Sequence, residues 1–541
     1  MTALTRLASF AVLGSAALLA GLTTPKLTVA GDENWPQWRG PLRTGAAPEA
    51  NPPVEWSESK NVKWKVKIPG SGTATPIIWE NKVFVQTAIP TGKKPAVAAA
   101  QPDSAPPAPA AASSGQGSSF TSRLLDSFDT NKDGKISRKE VPEARRGVFD
   151  RMIEQHKLDP EKTYSREELD KLLGSSTTPA KTESSSSPPQ QQQRPRPGGG
   201  GGMRGAKPTE PYQFVLMCLD RQTGKTLWQQ VAREEIPHEG THPDHGFSSH
   251  SPVTDGVHVF AYFGSRGLHC FDMQGKLKWS QDFGDMRIQN GFGEGSSPTL
   301  HGNAVIVTWD NEGDSFIIAL NKNTGETLWK KPRDEKTSWS TPLVVEHDGK
   351  SQVVTTASRK IRSYDLASGD LIWECSGLTR NVIPTPVAAD GTVYATSGFQ
   401  GNALLAIRLG RTGDLTGTDA ILWSARKGTP YVPSPLLYGG RLYLFASNNN
   451  ILSCFDIKTG QPVIDGQRLN DLQGVYASPV GASGRVYLVG RNGATVVIKQ
   501  SEKLEVLATN RLDDRLDASP AIAGNELYLR GHEYLYCIAE K

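Results

Sequence analysis

The densest set of side chains that could do chemistry lies in one 12-residue stretch, residues 129–140, with the sequence DTNKDGKISRKE. Ca²⁺ prefers six to eight oxygen ligands, and a loop of this length supplies them from positions 1, 3, 5, 7, 9 and 12. Gly134 stands at position 6, where the loop must turn sharply. The spacing therefore predicts a calcium site, and the alternative interpretation is an Asp-rich surface turn without an ion. The predicted ligands are Asp129, Asn131, Asp133, the Lys135 carbonyl, Ser137 (directly or through water) and Glu140 as a bidentate carboxylate.

This loop resembles an EF-hand, and a weaker copy of it follows. In the second loop Tyr164 falls at position 8 and Glu168 at position 12, but Lys157 replaces the Asp at position 1 and Lys162 replaces the Gly at position 6. We expect the second loop to bind calcium poorly or not at all, and to pair with Ile136 of the first loop for packing. Apolar residues on either side of the first loop fit an entering and an exiting helix: Leu124, Leu125, Phe128, Phe149, Met152 and Ile153.

A repeat of about 44 residues surrounds this α-helical module. Ser-Pro or Thr-Pro recurs eight times before an apolar run, and from Pro252 onward the Pro-to-Pro steps are 46, 44, 44, 49, 44 and 41 residues. Each unit has alternating apolar runs separated by Gly, Asp or Asn turns, which is typical of four antiparallel strands. Repeated four-stranded units of this length indicate a β-propeller. We predict an all-β, eight-bladed propeller whose first blade is interrupted by the EF-hand module.

The ends of the chain predict how the ring closes. The last unit stops after three strands, while residues 61–68 form a spare strand near the N-terminus. Trp64 in that strand lies 12 residues before Pro76, which matches the gap of 12 or 13 residues in complete units. The N-terminal strand should therefore be the outer strand of the eighth blade.

The end of each unit carries the string Ala/Cys-x-Asp-x-x-Thr-Gly-x-x-x-Trp or a close variant, as in CLDRQTGKTLW and ALNKNTGETLW. This string resembles the tryptophan-docking motif of propellers of the pyrroloquinoline-quinone (PQQ) type, a group that includes quinoprotein alcohol dehydrogenases and a propeller lipoprotein of outer-membrane barrel assembly. The opening NWPQWRGP, residues 34–41, is similar to the start of secreted PQQ-like repeat proteins. The motif departs in blade six, where Ile464 replaces the Trp, and is lost in blade seven. The resemblance implies a propeller whose Trp residues join neighbouring blades, and it leaves function open.

Composition restricts the class of protein. Sixty Lys and Arg against 56 Asp and Glu leave a net charge of +4, which argues against a dedicated nucleic-acid binder. Residues 1–30 have the features of a secretory signal peptide, so we expect a periplasmic or secreted protein with no transmembrane span after cleavage; an uncleaved anchor is the alternative. Four of the five cysteines recur at one position of the repeat, so we expect buried thiols rather than a disulfide framework.

Two function classes follow from the propeller face that carries the connections between blades. The first is a binding or scaffolding protein for a protein, peptide or glycan; the second is a quinoprotein oxidoreductase with PQQ and calcium in the channel, which we favour less. The His cluster from His238 to His250 either ligates a metal or forms a solvated polar loop, which we favour. No spacing identifies catalytic or cofactor-binding residues, although Glu294, Asn290 and Asp310 are candidates for a quinoprotein calcium site. The same face should collect His238, His242, His245, His250, Arg266, Arg287, Asn290, Glu294, Asp310, Glu312, Asp314, Trp339, Arg380, Asn381, Tyr431, Tyr476 and Asp517.

The predicted domain organisation follows from these patterns. A signal peptide (1–30) precedes the closing strand and the start of blade one (31–91). An Ala/Pro-rich linker (92–118), the EF-hand module (119–174) and a Ser/Pro/Gln/Gly-rich linker (175–211) interrupt that blade. The rest of the propeller occupies residues 212–541.

Overall fold

The computed structural model describes residues 33–93 and 205–540, and in the insertion residues 128, 135–139, 141, 146, 149, 150, 153, 158, 159, 161–165 and 168. The chain divides into two compact units, one of residues 1–96 and 199–541 and one of residues 97–198. The predicted signal peptide lies outside the described residues. In the part of the chain that the structure describes, no helix is long and apolar enough to cross a membrane.

The larger unit is an eight-bladed β-propeller of four-stranded antiparallel blades, as predicted. Short 3₁₀ turns occupy Gly264–Arg266 and Gln289–Gly291. With the innermost strand first, blade one consists of Ile77–Trp79, Lys82–Pro90, Tyr212–Asp220 and Thr226–Glu235, and blade two consists of Val253–Thr254, His258–Tyr262, Leu268–Asp272 and Leu277–Gln281. Blade three consists of Thr299–His301, Ala304–Trp309, Ser315–Asn321 and Thr327–Arg333, and blade four consists of Leu343–His347, Lys350–Thr356, Ile361–Asp365 and Leu371–Cys375. Gly413–Asp414 adds a short parallel strand to blade four. Blade five consists of Val387–Ala389, Thr392–Ser397, Ala403–Arg408 and Ile421–Ala425, and blade six consists of Leu436–Tyr438, Arg441–Phe445, Ile451–Asp456 and Pro462–Arg468. Blade seven consists of Val480–Ala482, Arg485–Val489, Ala494–Lys499 and Val506–Arg511, and blade eight consists of Ala521–Ala523, Glu526–Arg530, Tyr534–Ile538 and Val62–Lys67.

The burial pattern of the strands follows from face-to-face packing of the blades. Second and third strands are covered on both faces, so all six residues of Ala304–Trp309 are buried. Outer strands keep the two-residue alternation, as in Thr226–Glu235. The middle strands are therefore nearly continuous apolar runs, and the alternation that predicted strands from the sequence is clearest at the rim.

Five docking Trp residues each lie on a glycine of the next blade: Trp64, Trp228, Trp279, Trp329 and Trp423. The indole of Trp329 in blade three packs on Gly369 in blade four, where an added Cβ would lie 2.6 Å from the ring, and its Nε1–H donates to the Leu366 carbonyl oxygen at 2.8 Å. Within its own blade Trp329 pairs with a small residue, Ala319. Glycine is required under the ring because any side chain would displace the indole.

The recurring cysteines occupy this small position opposite the docking residue. Cys218 pairs with Trp228, and Cys270 pairs with Trp279. In blade six the partner of Cys454 is Ile464, the residue that replaces the Trp. All five cysteines are buried free thiols, and they belong to five different blades. The expectation of packed thiols is confirmed.

The N-terminal strand closes the ring as predicted. Val62–Lys67 pairs antiparallel with Tyr534–Ile538, and Trp64 stands opposite Cys537. The Trp64 Nε1–H donates to the Arg221 carbonyl oxygen in blade one at 2.9 Å, and its ring lies against Gly224. The first and last strands of the propeller in chain order therefore pair in blade eight.

The insertion begins and ends at neighbouring strand ends of blade one. Lys82–Pro90 pairs with Tyr212–Asp220 along its whole length, up to the Pro90–Tyr212 pair. Beyond that pair the Thr91 N–H donates to the Pro211 carbonyl oxygen at 3.0 Å. Blade one is thus complete without the inserted residues.

The described residues of the inserted unit form a small apolar core around a two-stranded pairing. Lys135–Ile136 pairs antiparallel with Tyr164–Ser165, so that Ile136 stands opposite Tyr164. Residues 146, 149, 150, 153 and 168 have helical backbone. The core consists of Phe128, Ile136, Val141, Phe149, Ile153 and Tyr164, each at most 4% exposed.

Candidate ligand-binding site

The Ser/Thr residues before the repeated prolines form a hydrogen-bonded ring around the propeller axis. The sequence shows these residues as a repeat but gives no sign of their role. In seven consecutive blades the backbone N–H donates to the hydroxyl oxygen of the next blade's residue, at 2.9–3.2 Å. The Thr75 hydroxyl closes the circle by donating to the Ser519 carbonyl oxygen at 3.0 Å. The ring consists of Thr75, Ser251, Ser297, Thr341, Thr385, Ser434, Ser478 and Ser519, and all eight residues line a central cavity.

An N-terminal segment, residues 35–54, crosses the end of the channel where first and second strands connect. Its backbone bonds to blade one at Ile78, to blade seven at Gly481 and to blade eight at Gly524. We call this segment the plug. Trp38 of the plug lines the cavity and therefore forms its floor.

Arg39 fastens the plug to the ring. Its side chain is 2% exposed and donates to the carbonyl oxygens of Pro435 at 2.7 Å and Pro479 at 3.2 Å, both ring prolines. Burial lowers the pKa of Arg39 to about 9. The guanidinium lies 5.5 Å from the centroid of the Trp38 ring and so supports the floor from behind.

Two long connections cover part of the opposite, open end. Residues 236–252 and 282–298 are 17 residues each, whereas the other six connections between blades have 9 to 11. The tip of the first reaches across to blades seven and eight. There Asp244 Oδ1 pairs with Arg491 Nη2 at 2.7 Å and with Arg515 Nη2 at 2.6 Å. We call residues 236–252 the strap.

The walls of the cavity between strap and floor are aromatic. The cavity has a volume of about 370 Å³, within the roughly 300–1,000 Å³ typical of small-molecule sites. Phe399 and Tyr431 stack with ring centroids 4.9 Å apart, and Trp339 is held by a 2.7 Å bond from its Nε1–H to the Gly293 carbonyl oxygen. Phe292 and Tyr476 complete the set of wall aromatics.

Acidic groups at the mouth are paired with arginines. Asp517 is 6% exposed and accepts from Arg491 Nε at 2.7 Å and from Arg515 Nε at 3.0 Å. It also accepts from His532 Nε2 at 3.0 Å, and this bond raises the pKa of His532. Asp517 and Asp244 are the only charged residues among the described residues that line the cavity. Their charge is already balanced by two guanidiniums.

His245 contributes a neutral imidazole to the cavity. Its Nδ1 lies 2.8 Å from the Gly246 backbone nitrogen and 2.9 Å from the Gly246 carbonyl oxygen, so it accepts a hydrogen bond in one tautomer and donates one in the other. Burial is the main cause that lowers the pKa of His245 to about 4. At neutral pH the ring is therefore uncharged and has one donor nitrogen and one acceptor nitrogen.

The His238–His250 cluster does not converge on one point. His238 Nε2 contacts the Met286 carbonyl oxygen at 2.6 Å, and the His242 ring packs edge-on against Phe292. His250 is 2% exposed and packs edge-on against Tyr262, 4.7 Å between centroids. The strap is therefore a packed element, and the interpretation as a solvated loop misses this. Among the described residues no three His, Cys, Asp or Glu side chains are grouped to hold a metal ion.

The face residues predicted from the sequence fall into separate groups. Asp310 forms a buried ion pair with Arg333, 2.7 Å from Oδ1 to Nε, and so is structural. Those that surround a smaller pocket beside the cavity are His238, His250, Arg266 and Glu294. Those that line the cavity are His242, His245, Trp339, Tyr431, Tyr476 and Asp517. Those that line neither space are Arg287, Asn290, Asp310, Glu312, Asp314, Arg380 and Asn381.

Sequence reasoning missed several cavity residues. Trp38 and Phe399 have no distinctive spacing, and Asp244 was passed over inside the His-rich run. The eight Ser/Thr-Pro pairs were visible as a repeat, and their position at the start of each innermost strand was the available signal.

The predicted calcium ligands are only partly described. Lys135 lies within the short pairing of the inserted unit, and Ser137 follows directly after it. Asp129, Asn131, Asp133 and Glu140 lie outside the described residues.

Fold, docking tryptophans and axial ring together define an eight-bladed β-propeller whose repeats are similar to the PQQ-like type. Residues 213–464 match the sequence family described as "Outer membrane protein assembly factor BamB". No curated protein matches the sequence.

Two solved structures are similar at the level of the fold. BamB from Moraxella catarrhalis is 16% identical, with 60% of this chain and 93% of that chain covered and a TM-score of 0.43. The computationally designed Ika8 protein is 12% identical, with 61% and 92% covered and a TM-score of 0.42. Neither likeness bears on what this chain binds.

The quinone that this propeller type implies does not fit the cavity. PQQ carries three carboxylates, whereas no Lys or Arg is among the described lining residues and both charged lining residues are acidic. Burying carboxylates without a cation is costly. The candidate calcium carboxylates are also committed elsewhere, since Asp310 pairs with Arg333 and Glu294 accepts from the Ser265 backbone N–H at 2.7 Å.

Proposed function

We propose that this chain is an exported, non-enzymatic binding protein whose ligand enters the open end of the central cavity. The observation that carries the proposal is the cavity itself: aromatic walls, a ring of hydroxyls and a floor closed by Trp38. A blind, rigid and partly apolar cavity with a few polar groups is typical of ligand sites. The ligand is a protein segment, a peptide or a glycan.

The chemistry of the lining supports binding rather than turnover. Catalysis needs an activated nucleophile or an acid–base pair within reach of the substrate. Here Asp244 and Asp517 are paired with arginines, and His245 is held by Gly246. Seven of the eight ring hydroxyl oxygens accept a backbone N–H, and the Thr75 hydroxyl donates to the Ser519 carbonyl oxygen. Among the described residues, no carboxylate or imidazole is hydrogen-bonded to a ring hydroxyl as an activating base.

The matched family supports a place in the cell envelope. Its description is that of an outer-membrane assembly factor. Export through the signal peptide at residues 1–30 would bring this propeller to the periplasm or the cell surface, where protein and glycan ligands are available. A nucleic-acid partner is not part of the proposal, because the net charge of +4 is small for 541 residues.

We propose further that the inserted unit is a pair of EF-hands that binds one Ca²⁺. Ile136 and Tyr164 occupy position 8 of their respective loops, and they stand opposite each other in the short pairing. Phe128 before the first loop and Phe149 after it meet edge-to-face at 5.5 Å. Both observations fit paired loops with packed flanking helices.

The carboxylate at the last position of the second loop, Glu168, forms a hydrogen bond that does not involve calcium. Glu168 Oε2 accepts from the Ser165 N–H at 2.8 Å, and the Glu168 N–H donates to Ser165 Oγ at 3.2 Å. This reciprocal pair is a capping box that starts a helix. It supports a second loop that contributes packing while the first binds the ion.

Two measurements test the binding function. A thermal-shift screen of mature protein against envelope peptides, protein fragments and glycans should find ligands that raise Tm, because a ligand of the native state stabilises it. Dye reduction with added PQQ, calcium and alcohols or sugars should give no turnover. Turnover that disappears in Glu294→Gln would overturn the proposal, as would a screen in which no ligand of any class raises Tm.

A further inference from the structure

We propose that the ligand of the central cavity is a neutral carbohydrate, bound as a short oligosaccharide or as the end of a longer glycan. This inference rests on the proposed binding function and names the ligand class for the same site. Four features of the cavity carry it: its hydroxyl ring, its aromatic walls, its lack of net charge and its closed floor.

The ring matches a ligand that both donates and accepts hydrogen bonds. In each of seven ring residues the hydroxyl oxygen already accepts one backbone N–H, as Ser251 Oγ does from Thr75 at 2.9 Å. The hydroxyl keeps its proton and a second lone pair, so it can still donate once and accept once. Seven such groups around one axis complement the alternating donors and acceptors of sugar hydroxyls.

The walls supply the apolar half of the recognition. A pyranose ring has one face of C–H groups, which packs on an aromatic ring as other apolar surface does. The stacked pair Phe399–Tyr431 forms one such platform, and Trp339, fixed by its bond to Gly293, forms another. Rigid aromatics lose little conformational entropy when a ligand binds.

The charges favour a neutral sugar over a charged one. A charged ligand that leaves water needs an opposite charge in the site. Asp244 and Asp517 cannot provide it for a cation without giving up Arg491 and Arg515, which hold both of them. For an anion, no Lys or Arg is among the described lining residues.

The closed floor limits how much of a glycan can enter. Trp38 blocks the far end, so a polysaccharide cannot thread through the ring. A cavity of about 370 Å³ holds a small molecule rather than a long chain. The site therefore fits a terminal unit or a disaccharide.

The test is calorimetry on the mature protein with cellobiose, maltose and the disaccharide of N-acetylglucosamine, and with digalacturonate as the charged counterpart. At least one neutral disaccharide should bind, and digalacturonate should bind at least about tenfold more weakly. Phe399→Ala and Tyr431→Ala should each weaken the neutral sugar at least about tenfold, because each removes a wall aromatic. Tyr431→Phe keeps the ring and should retain most of the affinity.

Controls separate a lost site from a lost fold. Leu422→Ala, at an exposed position on an outer strand, should bind like the parent protein. Tm is measured for every variant, and the volume-conserving Phe399→Leu replaces Phe399→Ala if the latter melts early. Binding that survives both wall substitutions, or digalacturonate binding as tightly as the neutral sugars, overturns the inference. If no sugar binds while a peptide raises Tm and this rise is lost in Tyr431→Ala, the carbohydrate inference fails and the proposed binding function stands.

Discussion

Replacing Trp64 by Ala tests whether the N-terminal strand is an integral part of the ring. Trp64 is 8% exposed, lies against Gly224 and Tyr528, and donates a 2.9 Å bond to the Arg221 carbonyl oxygen. An indole buries roughly 150–250 Å². At about 25 cal/mol per Å² its removal costs about 4–6 kcal/mol, and measured losses for buried aromatics are about 3–5 kcal/mol.

The matched control is Trp329→Ala, which removes the equivalent contact between a docking Trp and the next blade, here between blades three and four. Trp329 is 7% exposed, lies on Gly369 and donates a 2.8 Å bond to the Leu366 carbonyl oxygen. Equal contacts predict equal losses if blade eight is as firmly joined as an interior blade. Trp64→Phe should fall between the parent and Trp64→Ala, because it keeps one aromatic ring but loses the rest of the indole and its N–H donor.

The assay is urea unfolding of mature protein followed by far-UV circular dichroism, with the free energy of unfolding extrapolated to water. A loss below about 1 kcal/mol for Trp64→Ala, beside about 3–5 kcal/mol for Trp329→Ala, would refute an integral closing strand. A second test is deletion of residues 33–70, which exposes the edge of Tyr534–Ile538 and removes the plug. A truncated chain that melts like the mature protein would contradict the closure.

Three further predictions concern other parts of the chain. Calorimetry of the mature protein should detect one calcium site, lost in Glu140→Gln and retained in the matched Glu168→Gln; two comparable sites would contradict an empty second loop. His250 has a pKa lowered to about 3 by burial, below the 6.5 of the unfolded chain, so stability is present above pH 6.5 and lost as pH falls below it. From pH 7 to pH 5 this one group should remove about 2 kcal/mol, and His250→Phe should be less acid-sensitive by that amount in urea unfolding at the two pH values; equal sensitivity would show that His250 is not buried. Asp244→Asn should speed amide exchange in residues 240–249, because both arginine pairs weaken, with little change in global unfolding; unchanged exchange would mean that Asp244 does not hold the strap.

The fold was predictable because each blade repeats the same local signals. The Thr-Gly turn and the Trp four residues after its Gly mark the rim of a blade, and the spacing of Trp64 from Pro76 was enough to assign the closing strand. The repeat also predicts the strand position of a residue that departs from the motif, because Ile464 in blade six pairs with Cys454 where other blades have a docking Trp. Local repetition of this kind can be recognised in a sequence without any knowledge of tertiary contacts.

The site was harder to predict because its contacts join distant segments. The ring bonds connect residues 41 to 444 positions apart, and they exist only once the blades are arranged around an axis. The plug has no periodicity, yet the Arg39 side chain reaches Pro479, 440 residues away. In the His-rich run, the spacing of the residues does not determine how the imidazole rings are oriented. In the structure His238, His242 and His250 each contact a different group instead of one shared point.

The closing strand also constrains when this protein can fold. Trp64 leaves the ribosome about 470 residues before its partner Cys537. At roughly 5–20 residues per second this gap lasts on the order of 25–95 seconds. Throughout that time the ring has an open edge, and the plug lacks its partners in blades seven and eight. The N-terminal strand and the plug can therefore take up their native positions only after the last blades have been synthesised. A chain whose ring cannot close early therefore stays incompletely folded for most of its synthesis.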